Sequence, residues 1–175
     1  MAEAVEIPEA KDPFERQVAL TIAVLAVVLS VVSTVGDNAK GEALLAATKA
    51  SNQWAYYQAK SIKEHSYDLA GELLGAVGSS LDPAAREALA KKYGDEVARY
   101  EREKNEIRAK AEEQEKEIVR NGLVNDRCDL AGVLLQVAIV VGSIAILVRW
   151  KALWGASAVL GVAGVVTFAT VFLMK

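Results

Sequence analysis

Three stretches of the chain carry no Lys, Arg, Asp or Glu: Gln17 to Gly36, Leu130 to Val148, and Ala152 to Met174. Each is about 20 residues long, the length at which a helix rising ~1.5 Å per residue crosses ~30 Å of hydrocarbon. The pattern predicts membrane-spanning helices over 13–36, 128–149 and 150–175. A short acidic segment occupies 1–12, and a polar segment over 37–127 separates the first two spans. The first span exceeds the apolar core of a cleaved signal peptide and lacks a small-x-small site, so it reads as a retained anchor.

Inside the polar segment, apolar and small residues recur at helical spacing. Ala43, Ala47, Ala50, Trp54, Tyr57 and Ser61 are separated alternately by four and three residues, as along one coiled-coil seam. Tyr93, Val97, Tyr100, Lys104, Ile107, Ala111, Gln114 and Ile118 repeat that rhythm. Gly75, Gly78, Ser79 and Ser80 are expected to end the first of these helices, and Asp82 and Pro83 to start the second as N-cap and first residue. Two helices joined by so short a turn should lie antiparallel, forming a rod ~60 Å long. The expected fold class is therefore all-α: three transmembrane helices, with a long antiparallel, coiled-coil-like helical hairpin between the first and the second.

Finer signals refine that outline. Asp12, Pro13 and Glu15 form the Asp-x-x-Glu version of a capping box. No proline follows until Pro83, so the first span is expected to run unbroken into the polar helix despite Gly36 and Gly41. Asn121-Gly122 is expected to close or loosen the second polar helix, with Asn125 or Asp126 capping the second span. Glu87–Lys91, Asp95–Arg99, Glu106–Lys110 and Glu112–Lys116 stand acid-first at i,i+4, the favoured order. Lys104 and Gln114 interrupt the apolar seam, a pattern that selects register at a cost in stability. The seam is thin in large aliphatics, which argues that rods pack against copies of themselves.

Charge and reactive groups narrow the function. Net charge is −3, and most of the 20 basic and 23 acidic residues intermingle in the polar segment. Nucleic acid wants a one-signed basic face, so no nucleic-acid partner is expected. Cys128 is the one cysteine, which excludes an intramolecular disulfide. It reads as an apolar thiol near a helix start, with palmitoylation or an intermolecular bridge as alternatives. His65, the one histidine, lies among Lys63, Glu64 and Asp68 on a solvated face. No metal, cofactor or catalytic constellation is expected, and the chain does not read as an enzyme. The three charge-free stretches contain no ionisable side chain, the usual mark of an ion-coupled carrier.

The spans instead look suited to packing. Thr21, Ser30, Ser33 and Thr34 should bond back to their own helix. Gln136 reads as interhelical glue before a pore-lining group. Ala19, Ala23, Ala26, Ser30 and Ser33 form a small-residue stripe, while Ser157 and Gly161, continued by Gly164, make a small-xxx-small face. Trp150 and Trp154 flank the Arg149–Lys151 turn, as interfacial anchors do. The oligomer and packing candidates are accordingly Trp54, Tyr57, Tyr93, Val97, Tyr100, Ile107, Ile118, Gln136, Ser157 and Gly161.

Two runs carry a family resemblance: Glu6-Ile7-Pro8-Glu9-Ala10-Lys11-Asp12-Pro13-Phe14-Glu15 and Ala50-Ser51-Asn52-Gln53-Trp54-Ala55-Tyr56-Tyr57-Gln58-Ala59-Lys60-Ser61-Ile62-Lys63. They resemble a bacterial membrane-protein family known only as a domain of unknown function, number 4337. The resemblance implies a bacterial inner-membrane setting and carries over no activity or site residue. It draws attention to Trp54, Tyr56, Tyr57 and Gln58, for which aromatic packing within the seam is preferred over a ligand surface. The expected function is a homo-oligomeric membrane scaffold, as a ring or cage-like sheath. A channel gated by the rod, or an accessory subunit of a transporter or sensor, are the alternatives. Lys11, Arg16, Arg149 and Lys151 outvote Lys175, so the amino terminus and the turn are expected in the cytoplasm and the rod outside it.

Overall fold

In the computed structural model, residues 12–78 and 81–173 are described. They form three helices: α1 over Pro13–Val77 (65 residues), α2 over Pro83–Val148 (66 residues) and α3 over Lys151–Ala169 (19 residues). A 3-10 turn, Thr170–Leu173, follows α3. Among the described residues there is no strand. Each helix contains a stretch long and apolar enough to cross a membrane.

The helix starts follow their caps. Asp12 Oδ1 accepts the Phe14 N–H at 3.0 Å, and Asp82 Oδ2 accepts that of Ala85 at 3.3 Å. Each satisfies an amide that the helix leaves without an internal partner. Glu15 does not complete the expected capping box. Its carboxylate accepts instead from Arg149 Nη2 at 2.7 Å, because a full charge is a stronger donor than a backbone amide.

α1 passes through Gly36 and Gly41 without a break, as expected, and also through Gly75. A lone glycine costs about 1 kcal/mol in a helix, too little to stop one that is already propagating. The helix stops at Val77, one residue before Gly78; Ser79, Ser80, the acidic segment to Lys11, Met174 and Lys175 lie outside the described residues. The interruption expected at Asn121-Gly122 does not occur, and Asn125 and Asp126 cap nothing, since both lie inside α2. Asn125 Nδ2 donates to Asp129 Oδ2 at 3.0 Å, one turn on. The helix turns on either side carry this weak segment, and Asn121 itself is buried.

α2 closes with a Schellman turn. Arg149 takes a left-handed φ of 55°, its N–H reaches the Ile146 carbonyl, and the Trp150 N–H reaches that of Ala145. This reverses the chain within two residues and starts α3 at Lys151.

The chain divides into two compact units. The first joins Met1–Gly41 to Asn121–Lys175, and the second is Glu42–Arg120. In the first unit the core comprises Leu25 and Val32 of α1 and Cys128, Ala131, Leu135 and Ala138 of α2, with Leu160 and Phe168 of α3 packed against it. In the second, α1 buries Ala46 and Ala50, and α2 buries Tyr100, Ile107 and Ala111.

Candidate functional site

In the second unit the two predicted seams meet each other. Trp54 is half-buried and donates its Nε1 to Glu115 Oε1 at 2.8 Å, while its ring stands edge-on to Tyr57 at 5.6 Å. Tyr100 is buried and stacks on Tyr67 at 5.8 Å; Tyr93 lies 6.1 Å from the same ring. Val97 and Ile118 are half-buried and Ile107 is buried. Aromatic pairs at these separations are worth about 0.5–1.5 kcal/mol beyond their buried area.

Charged side chains lock this seam. Lys104, which interrupts the apolar pattern, forms an ion pair with Glu64 and sits 5.5 Å from the Tyr57 ring. Lys60 reaches Glu103 at 2.5 Å and lies 5.2 Å from the Tyr56 and Tyr100 rings. The hydrogen bond from Lys60 holds the Glu103 carboxyl below its ordinary value. The same bond raises the Lys60 ammonium, and the bond to Glu64 raises that of Lys104. Gln114 gains no such partner, and its Oε1 is buried without a hydrogen bond. The acid-first pairs expected along α2 give way to others: Arg99 bridges Glu96 and Glu103, and Glu112 takes Arg108. Exposed pairs differ by only tenths of a kcal/mol, so small differences in geometry decide among them.

Tyr67, Lys60, Glu64 and Glu103 were given no role from the sequence. Carrying the seam spacing past Ser61 reaches Glu64 and then Tyr67 or Asp68, a signal that was available. A groove of about 520 Å³ opens beside Tyr67 and Tyr93, with Asp68, Glu72 and Glu101 among its lining.

In the first unit the small face of α3 is consumed within the chain. Ser157 is fully buried and donates to the Ala138 carbonyl at 2.6 Å. A Cβ at Gly161 would come within 2.6 Å of Leu25, and one at Gly164 within 2.9 Å of Leu135. Gly142, which sequence reasoning passed over, occupies a comparable meeting point: a Cβ there would lie 2.9 Å from Ser157 Oγ and 3.1 Å from Ile22. Trp154 does more than anchor the turn. Its ring stands edge-on to Phe14 at 6.0 Å and its Nε1 donates to Thr21 Oγ1 at 3.4 Å. Trp150 remains exposed.

The hydroxyls of Thr21 and Thr34 bond back to the carbonyls one turn earlier. The stripe Ala19, Ala23, Ala26, Ser30 and Ser33 faces outward, and so does Gln136. Ser33 and Gln136 share a groove of about 280 Å³ with Gly36, Asp37, Cys128 and Asp129. Chemically the molecule thus offers aromatic and ionic locks inside, and an outward amide and small-residue stripe on its apolar helices. His65 is exposed, and no group of three or more His, Cys, Asp or Glu suited to a metal ion occurs among the described residues.

Comparison with known proteins gives no match among curated sequences and none among solved structures. A family model, described as a domain of unknown function (DUF4337), matches residues 14–174. That span takes in α1 from its second residue together with all of α2 and α3, and the chain belongs to the DUF4337 family.

Proposed function

We propose that this protein is a multi-pass membrane scaffold that assembles from copies of itself. The observation that carries this reading is Gln136. Its amide lies on an apolar stretch of α2, faces outward and forms no hydrogen bond with any of the described residues. In hydrocarbon such an amide is costly until another helix answers it, and a second amide supplies both donor and acceptor. The outward stripe from Ala19 to Ser33 allows the close helix approach that such a contact needs. The rod is read as an antiparallel hairpin. This is supported by the order of its contacts: as Trp54, Lys60 and Tyr67 advance along α1, their partners Glu115, Glu103 and Tyr93 retreat along α2. A bacterial inner membrane is the setting that the family resemblance implies.

Light scattering of the protein purified in mild detergent tests the reading, with a particle of several copies expected. A single-copy particle removes the scaffold. Gln136→Leu should lose copies while keeping its helix content; an unchanged mass assigns the contact elsewhere. A pore is the second reading, favoured by the polar groove of Ser33, Asp37, Asp129 and Gln136. Ion flux through proteoliposomes that Asp129→Asn diminishes would favour it over the scaffold.

A further inference from the structure

The outer face of α1 in the second unit exposes a row of apolar and small residues. Leu44, Ser51, Ala55, Ile62, Leu69 and Leu73 are separated by four or seven residues, so they share one face, turned away from the seam that meets α2. All six are exposed, Leu44 at 70% and Ile62 at 67%. From Leu44 to Ser66 this face carries no Lys, Arg, Asp or Glu; Gln58 and His65 share it, Glu72 stands at its far end, and Lys49, Lys63 and Asp68 lie to either side. Two hydroxyls along it are already satisfied: Thr48 donates to the Leu44 carbonyl at 3.0 Å and Ser66 to that of Ile62 at 2.8 Å. The outward side of α2 is the opposite, carrying Lys91, Arg102 and Lys116 in solvent.

From Leu44 to Leu73 the face runs roughly 44 Å at ~1.5 Å per residue. With a helix ~10 Å across, that gives roughly 440 Å² per copy, near 900 Å² for a pair. A patch of this size matches the largest apolar patch of an ordinary monomer, which is often functional, and the pair falls just short of the ~1,000 Å² of a stable free interface. Copies confined to one bilayer need less, because anchoring raises their effective concentration. Inserted in the same sense, they also present identical residues at equal heights, so the heptads of two such faces meet in register.

We propose that this face of α1 is the contact through which the rods of two copies pair, leucine against leucine and small residue against small residue. The proposal rests on the self-assembly reading above and names the surface that serves it. A partner with a charged face gains nothing from an uncharged stripe, whereas a second α1 is its own complement.

Single cysteines in a Cys128→Ala background, oxidised in native membranes, test the contact. Ser51→Cys and Ala55→Cys should give a disulfide-linked pair of the chain, and Asn105→Cys, on the exposed side of α2, should not. Ile62→Glu with Leu69→Glu should cost copies in detergent while helix content is retained, since neither side chain is buried in its own chain. Equal linking at Asn105, no linking at Ser51 and Ala55, or linking to a different protein each overturns the proposal. If the wild type is multi-copy and the stripe stays unlinked, this contact alone falls. A wild type that is single-copy removes the assembly reading with it.

Discussion

A methyl group added at Gly164 would stand 2.9 Å from Leu135 Cγ and 3.2 Å from the Ala131 carbonyl oxygen. Neither atom is the free end of a side chain, so α2 and α3 must separate to admit it. At Gly161 the nearest atom is Leu25 Cδ2, which can rotate away. Gly164→Ala should therefore destabilise the first unit by about 1–3 kcal/mol and Gly161→Ala by less, since overpacking costs that much where nothing can yield. Thermal melts in mild detergent read the difference, and equal shifts would mean that Leu25 is as constrained as Leu135. The small residues of α3 were visible as a spacing, but their roles were not. Ser157 read as merely small, yet its hydroxyl serves a carbonyl that only the packing of α2 against α3 brings to it.

Along the rod, the seam positions were legible because burial on one helix face enforces a 3.5-residue rhythm. The partners were not, since nothing local matches Lys104 with Glu64 or Lys60 with Glu103. These pairs give the rod a pH signature. Glu103 is lowered when folded, so its contribution is complete above the ordinary carboxylate range and is lost as pH falls through its lowered value. Lys60 and Lys104 are raised, so theirs is complete below the ordinary lysine range and is lost as pH rises through their raised values. The melting temperature should be flat between these limits and fall on both sides. Glu103→Gln should flatten the acid limb in circular-dichroism melts; an unchanged limb would assign acid sensitivity to other carboxylates. Asn121-Gly122 shows the limit of local signals. Both residues favour a helix end in isolation, yet α2 continues because its flanking turns are already formed.

For the molecule as a whole, the short basic segments give an expected orientation in a bilayer. Arg16, Arg149 and Lys151 lie on the side of the α2–α3 turn, where Arg149 is tied to Glu15. With that side cytoplasmic, Ala84→Cys in a Cys128→Ala background should react with a membrane-impermeant thiol reagent in intact cells. Labelling only after lysis reverses the orientation. The three long apolar helical stretches and the all-helical class could be read from the chain because they are sums over consecutive residues. Some 20 apolar residues in hydrocarbon must satisfy their own backbone groups, and a helix does so within one segment. Which face of each helix is spent inside is a different kind of property. Ser157 and Gly161 turned inward, while Gln136 and the stripe from Ala19 to Ser33 turned outward, although both stripes obey the same spacing. The rotation of a helix about its axis is set by groups of distant segments, here the side chains of Leu25 and Leu135 and the carbonyl of Ala138, and no local window of the sequence contains them together.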